Sequence, residues 1–461
     1  MFHHIPVLIN DLEWRIRMNK KIVAVVVVVI LAAAALMGGI VLMNNDKSSS
    51  SEKTYAGEVK IFGNANNDDK IDEEDVKVLE KLIKDGYSEK EYPFADSNRD
   101  GKITQQDIDI VNKVIKGEKA TLYYVNYFGD VRAVHFPITG SVGVNFWQQA
   151  ELMACIGAWD KVTAVDSQTI VRTAQYPGIE KCFDLGKRDA MTAERILASG
   201  ISALVCHGNA SSTTESLIKD FEGAGKTIDI ICLGWEGMNC LSTAIMMGIF
   251  MKCEDGAYKY VDWCNKILGN IESKLSKLSN DEIATIIVPL MYANQSKNIR
   301  IECEGTGSYS LISRLGNVID LPDATYETKN RADRSVEWFM EENSKGTFDY
   351  IMIMEEGTGT GATLQTYNDR FEYSLTFLDK TQAYKEGRIG GTTYGFGGFS
   401  GFSLLTYAAY MVYPDLFTKE EGIQAMQDCY DTFTFMDIDV SDKGWRYTGT
   451  AYKEYNDRLN G

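Results

Sequence analysis

Residues 252–278, KCEDGAYKYVDWCNKILGNIESKLSKL, constrain the fold more than any other stretch. Apolar residues fall at Cys253, Ala257, Tyr260, Val261, Cys264, Ile267, Leu268, Ile271, Leu275 and Leu278. Spacings of three and four repeat without a break and predict one face of an α-helix. At 1.5 Å per residue it would run roughly 40 Å. Short β-rich apolar runs, alternating with helical patterns, lie on both sides of it. The helix, residues 252–279, is therefore expected to stand alone as a rigid strut between two α/β lobes. A cleft between such lobes is a natural place for a ligand.

The chain has 461 residues, too many for one ordinary domain. Its net charge of −18 argues against a nucleic-acid partner, because phosphate binding needs a basic face. None of the nine cysteines forms a CxxC pair, and several sit inside apolar runs such as ALVC and IICL. They read as free buried thiols rather than a disulfide framework.

Residues 22–43, IVAVVVVVILAAAALMGGIVLM, are nearly all apolar. About 20 such residues span a bilayer. Arg15, Arg17, Lys20 and Lys21 precede them, so the positive-inside rule puts residues 1–21 in the cytoplasm. Everything after Met43 is then extracytoplasmic, on a single-pass anchor in the cell membrane. A cleaved signal peptide, with small residues at Ala32 to Ala35, is the competing reading. Residues 44–57 are polar and serine-rich and read as a tether.

An internal repeat follows. NANNDDKIDEED begins at Asn64 and DSNRDGKITQQD at Asp96. Oxygen ligands fall at loop positions 1, 3, 5, 9 and 12: Asn64, Asn66, Asp68, Asp72 and Asp75, then Asp96, Asn98, Asp100, Thr104 and Asp107. Position 7, Lys70 or Lys102, can add a backbone carbonyl. Ca²⁺ wants six to eight oxygens on a tight turn, and this spacing supplies them. Gly101 holds the sharp-turn position. The first copy has Asp69 there, which predicts a strained or weaker loop. Two acidic turns without metal are the alternative.

These residues resemble a dockerin module, a small all-α domain with two Ca²⁺ loops that carry aspartate at position 12. The resemblance covers residues 58–118. It implies Ca²⁺-dependent docking onto a cohesin-like protein. By helix position, Lys77, Val78, Lys81, Leu82, Ile110, Val111 and Val114 are candidates for reading that partner.

Lobe 1 is expected over residues 121–251. LYYVNYF, RAVHFP, VTAVD, ISALVC and TIDIICLGW read as strands, with helical patterns between them. Lobe 2, residues 280–461, repeats the scheme: IATIIVPL, IRIEC, NVIDL, FDYIMIM and RIGGTTYGF as strands, SYSLISRLG, SVEWFMEEN and LLTYAAYMVYPDLF as helices. Both lobes are expected to be Rossmann-like, with mostly parallel sheets.

The order of these pieces resembles the substrate-binding proteins of ABC importers for siderophores, haem and cobalamin, the helical-backbone class. RAVHFPITGSVGVNFWQQAELMACIGAWDKVTAVD, MTAERILASGISALVC, SVEWFMEENSKGTFDYIMI and AAYMVYPDLF carry the resemblance. ISALVC lacks the family's Pro-Asp. The resemblance implies a metal-chelate ligand and an ABC permease as partner. It also implies one permease-docking glutamate per lobe, at Glu194 and Glu337. Ordinary surface carboxylates are the alternative.

Ligands of open α/β sheets sit beyond the carboxyl ends of strands. That rule selects Gly140, Ser141, Trp147, His207, Trp235, Glu236, Tyr292, Glu355 and Glu356. The glycine-aromatic run at residues 394–402 adds Tyr394 and Phe396, whose stiff apolar faces suit a planar ligand. His207 reads either as a ligand to iron or cobalt or as a hydrogen-bonded structural histidine. Arg172 and Arg188 are candidate anchors for an anion. Neither a Ser/His/Asp order, nor an HExxH helix, nor cysteines at cluster spacing appears, so the expected task is binding rather than catalysis. A cell-surface scaffold acting through the dockerin-like module is the other functional reading.

Overall fold

The computed structural model describes residues 57–208, 211–223, 228–291, 298–321, 330–355, 364–393, 397–440 and 450–451. The apolar segment 22–43 lies outside them, as do Tyr292, Glu356, Tyr394 and Phe396. Among the described residues no helix is long and apolar enough to cross a membrane.

Two helices grow directly out of the acidic repeats, α1 (Glu73–Asp85) and α2 (Gln105–Lys116). Each opens with a reciprocal capping box, Asp72 with Asp75 and Thr104 with Asp107. The residue at loop position 12 therefore closes the loop and caps the helix at once. Leu79, Leu82, Ile108 and Val111 pack between the two helices over Ala65 and Ala95.

This module is not a separate body. The Phe62 N–H donates to the Tyr123 carbonyl at 2.8 Å, and the Val125 N–H to the Lys60 carbonyl at 3.0 Å. These bonds anneal the module's first residues to β1 (Ala120–Val125). Val59, Ile61 and Val114 belong to the same apolar core as both lobes.

β1 pairs antiparallel with β2 (Val131–Phe136) in a hairpin of its own. The sheet of the first lobe uses β3 (Val142–Val144), β4 (Val162–Val165), β5 (Phe183–Asp184), β6 (Ala203–His207) and β7 (Asp229–Leu233). Its order is β5-β4-β3-β6-β7, all parallel. Helices α3 (Trp147–Cys155), α4 (Ala193–Ala198) and α5 (Ser211–Gly223) connect these strands.

Two helices then lead to the second lobe, α6 (Asn239–Met251) and α7 (Glu254–Leu275). The second lobe is a mixed sheet of eight strands rather than a mostly parallel copy of the first. Its strands are β8 (Thr285–Ile287), β9 (Pro289–Met291), β10 (Asn298–Glu302), β11 (Asn317–Val318), β12 (Arg331–Ser335), β13 (Tyr350–Glu355), β14 (Ile389–Thr393) and β15 (Thr450–Ala451). β8, β9, β11 and β14 join through parallel pairings around β13 and β8, whereas β10 runs antiparallel to β9 and β12. Its helices are α8 (Gly307–Ile312), α9 (Val336–Ser344), α10 (Leu364–Leu378), α11 (Gln382–Lys385), α12 (Gly401–Val412) and α13 (Lys419–Phe433).

The strut differs from expectation in two ways. It begins at Glu254, because Lys252 adopts a left-handed φ of 54° and ends α6 there. Its 22 residues span roughly 33 Å at the α-helical rise. It also does not stand alone. α6, α12 and α3 pack along it. At Gly256 a Cβ would lie 2.1 Å from the Ile156 carbonyl oxygen, so only glycine permits the approach of α3. The predicted apolar face is buried throughout, from Ala257 to Leu275. It is a pillar wrapped by helices, inside one apolar core that also takes in strand residues of both sheets.

All nine cysteines are free, and seven of them are buried.

Candidate functional site

Both acidic loops fold around their own side chains by one wiring scheme. The Asn66 and Asp72 N–H groups donate to the two carboxylate oxygens of Asp75, at 3.1 and 2.9 Å. The Asn98 and Thr104 N–H groups do the same to Asp107, at 3.2 and 2.8 Å. Asp68 accepts from the Lys70 N–H at 2.7 Å, and Asp100 from the Lys102 N–H at 2.9 Å. Asp96 accepts from the Gly101 N–H at 2.8 Å.

The loops fit a cation on two observations. Asn64 Oδ1, at loop position 1, is buried with no hydrogen-bond partner, an acceptor a cation would satisfy. Burial pushes Asp75 up to about 7 and raises Asp107 as well, against backbone N–H groups that favour the charged forms. Buried anions without a countercharge behave this way. Among the described residues no three His, Cys, Asp or Glu side chains gather into a metal cluster. The loops would instead rely on mixed oxygens, including the amides of Asn66 and Asn98 and the carbonyls of Lys70 and Lys102, which hard Ca²⁺ accepts.

The strain expected at Asp69 is not found there. Left-handed φ in the loops falls at Asn67, Arg99 and Gly101. The Asp69 carbonyl instead accepts from the Tyr258 hydroxyl of α7 at 3.0 Å. Leu82, Val111 and Val114 are buried, so they cannot read a partner as their helix positions suggested. Ile110 packs against the main core. Lys77 and Lys81 remain exposed on α1.

A cavity of about 410 Å³ opens between the lobes. Tyr127, His207, Gly208, Trp235, Glu236 and Asn239 line it from the first lobe. The loop and helix from Glu304 to Arg314 line it from the second.

His207 closes β6, where its backbone N–H donates to Asn145 Oδ1 at 2.8 Å. Its Nε2 lies 2.7 Å from Gln148 Oε1 and 3.6 Å from Glu236 Oε1. Phe146 meets the imidazole edge-on at 5.3 Å. The ring is thus buried in a hydrogen-bonded network, the structural role, with Nε2 engaged rather than offered to a metal. Burial works to raise the Glu236 carboxyl. Hydrogen bonding and charge from His207, the Arg331 guanidinium and the Gly307 N–H outweigh it and hold the group below its ordinary value. Trp235 is fully packed, its indole N–H donating to the Cys206 carbonyl at 2.6 Å.

The lobes are fastened where they meet. The Gly237 N–H donates to the Gly397 carbonyl at 2.7 Å, and the Met238 N–H to Ser310 Oγ at 3.3 Å. Glycine is required at position 307: a Cβ there would come within 2.7 Å of the Glu236 side chain.

Trp147 lies outside the cavity lining but on the same edge of the sheet. Arg172 sits 5.1 Å from its ring, and Arg188 sits 4.4 Å from the ring of Phe146. Gly140 and Ser141 do not lie at the cleft as expected. The RAVHFP run is β2 of the hairpin, not a strand of the parallel sheet. Ser141 precedes β3, and its carbonyl accepts from the Ser202 N–H at 2.8 Å, a strand's length from His207. Glu355 ends β13, level with Met291 and Thr393. Tyr127, Asn239 and the wall from Glu304 to Arg314 were not selected from the sequence. The CEGTG loop follows the strand IRIEC, so the strand-end rule applied there would have found that wall.

Glu194 and Glu337 occupy equivalent places. Each is the second residue of a helix opened by a hydroxyl cap, Thr192 for α4 and Ser335 for α9. The caps accept from the Arg195 and Trp338 N–H groups at 3.3 and 3.2 Å. Both glutamates are exposed, one on each lobe.

Residues 63–116 match the family model of the dockerin type I domain. No curated protein matches the chain. Among solved structures, the TroA-like periplasmic binding protein FepB from Veillonella parvula is similar with a TM-score of 0.54 at 16% identity, over 68% of this chain and 95% of that one. A periplasmic solute binding protein from Veillonella parvula DSM 2008 is similar with a TM-score of 0.51 at 12% identity, over 73% of this chain and 99% of that one. The two lobes share the fold of periplasmic binding proteins, preceded by a dockerin type I module.

Proposed function

We propose that the protein is a membrane-tethered, extracytoplasmic solute-binding protein. It captures a metal chelate of siderophore, haem or corrinoid type and passes it to an ABC permease. The observation that carries this reading is the cavity of about 410 Å³ walled by both lobes. That volume lies in the usual range for small-molecule sites, and a guest there contacts both lobes at once. Outside the cavity lining, Arg172 and Arg188 lie over Trp147 and Phe146, and Phe146 itself meets His207; cations on aromatic faces suit an anionic, partly planar ligand. Binding, not chemistry, is the task.

Glu194 and Glu337 would present one carboxylate from each lobe to a permease of two-fold symmetry. The apolar segment 22–43 would hold the body at the membrane surface. The dockerin type I module would take two Ca²⁺ through Asn64, Asn66, Asp68, Asp72 and Asp75 and through Asp96, Asn98, Asp100, Thr104 and Asp107. Bound Ca²⁺ supplies charge neutralisation and a rigid loop geometry. The module would then dock onto a cohesin-type partner, with the exposed face of α1 around Lys77 and Lys81 available for it.

Titrating the full chain with haem, cobalamin and ferric siderophores tests the transport reading. Saturable binding of one of them is expected. Binding of none, together with Ca²⁺-dependent binding to a cohesin, would favour a surface scaffold.

A further inference from the structure

We propose that Ca²⁺ in the first acidic loop is a brace for the two-lobed body: it locks the loop against the amino end of α7, so the module is a built-in stabiliser and not a swinging adaptor. This rests on the reading of the loops as Ca²⁺ sites.

Asp69 lies between two ligand positions, the Asp68 carboxylate and the Lys70 carbonyl. A cation that fixes both also fixes the direction of the carbonyl between them. That carbonyl is the one the Tyr258 hydroxyl reaches, at 3.0 Å across 189 residues of chain. The Lys70 ammonium lies 5.9 Å from the Tyr258 ring centroid, and Ile71 packs against the main core. On the module's other edge, residues 60–62 are annealed to β1. The loop is thus clamped to the lobes on two sides.

The groove between loop and helix, about 440 Å³, brings Lys70 and Asp72 opposite Lys252, Cys253, Glu254, Asp255 and Tyr258. Glu254 is paired with Lys252 Nζ at 2.7 Å, so the repulsion a bound cation relieves is that between the loop carboxylates and Asp255 in the first turn of α7. Charge neutralisation by Ca²⁺ removes that repulsion where the contact is made. The cation then acts as any ligand that binds the packed state better than the opened one.

Cys253 is half-buried in this groove, and Cys182 is half-buried elsewhere in the first lobe, which gives a reporter with an internal reference. The full chain in detergent is stripped of metal and titrated with Ca²⁺. Bound Ca²⁺ is counted, and the rates of maleimide labelling at both cysteines are read by peptide mass. Saturating Ca²⁺ is expected to slow labelling at Cys253 by roughly tenfold to a hundredfold and to leave Cys182 unchanged. Asp68→Ala should abolish the slowing, while Asp100→Ala, in the second loop, should keep it. Tyr258→Phe should retain the Ca²⁺ count and lose most of the slowing. Full Ca²⁺ loading with no change at Cys253, or with equal slowing at Cys182, would overturn the brace alone. Failure to bind Ca²⁺ would remove the reading of the loops and the brace with it.

Discussion

The hydroxyl of Tyr260, in the first half of α7, donates a hydrogen bond of 2.7 Å to the carbonyl oxygen of Phe399, which lies 139 residues further along the chain. The same ring packs against Phe399, Phe402 and Phe433. One fully buried side chain thus joins the pillar to the helices that return over it. Tyr260→Phe should cost about 0.5–1.5 kcal/mol, the net worth of one hydrogen bond. Tyr260→Ala should cost about 3–5 kcal/mol, the usual loss on truncating a buried aromatic to alanine. Urea unfolding of the full chain measures both.

Gly256 decides the sign of a second substitution. In an open helix, Gly→Ala gains about 1 kcal/mol. Here the added Cβ would meet the Ile156 carbonyl at 2.1 Å, and that backbone cannot move cheaply. Gly256→Ala should therefore lower stability, by roughly 1–3 kcal/mol as for other overpacked sites. A rise in the unfolding midpoint would show that α3 and α7 do not meet this closely.

The two loops make a stoichiometric prediction. Calorimetric titration should count two Ca²⁺ per chain. Asp75→Ala and Asp107→Ala should each remove one, because each carboxylate organises its own loop through two backbone N–H groups. A single site in the unaltered chain would contradict the duplicated scheme.

Much of this was legible before the structure. The acidic repeats were, because their ligand spacing is local and carries its own loop geometry. The core of α7 was, because an amphipathic period survives any tertiary arrangement. α6 left no such trace: its NCLSTAIMMGIFM run is apolar all round, so no face stands out. β12 is RADRS, an antiparallel strand with no apolar alternation to betray it. β3 is three residues long, and missing it moved the cleft assignment onto Ser141. His207, Trp235 and Glu236 stand at strand ends on the cleft, as the strand-end rule places them, but the wall from Glu304 to Arg314 needs the second lobe's folded position to be seen as its partner.

The Glu236 carboxyl predicts a pH dependence. Burial alone would raise it, but His207, Arg331 and the Gly307 N–H bring it below its ordinary value of 4.5. A depressed folded value means the charged group contributes stability above the ordinary value and loses it as pH falls through the folded one. At pH 7 the unaltered chain should therefore melt above Glu236→Gln. That difference should close as pH falls below 4.5. A gap that widens with acid would contradict the assignment.

The central claim is that the cavity between the lobes holds a guest, and tryptophan fluorescence titration with the chelate that binds best tests it most directly. Ser313 is exposed on the cavity wall, so Ser313→Trp adds bulk to the cleft without disturbing the core. The account predicts saturable binding of one equivalent to the unaltered chain and at least a tenfold loss of affinity in Ser313→Trp at an unchanged melting temperature, a tenfold loss being about 1.4 kcal/mol. Equal affinity in the two proteins would place the guest elsewhere and contradict it.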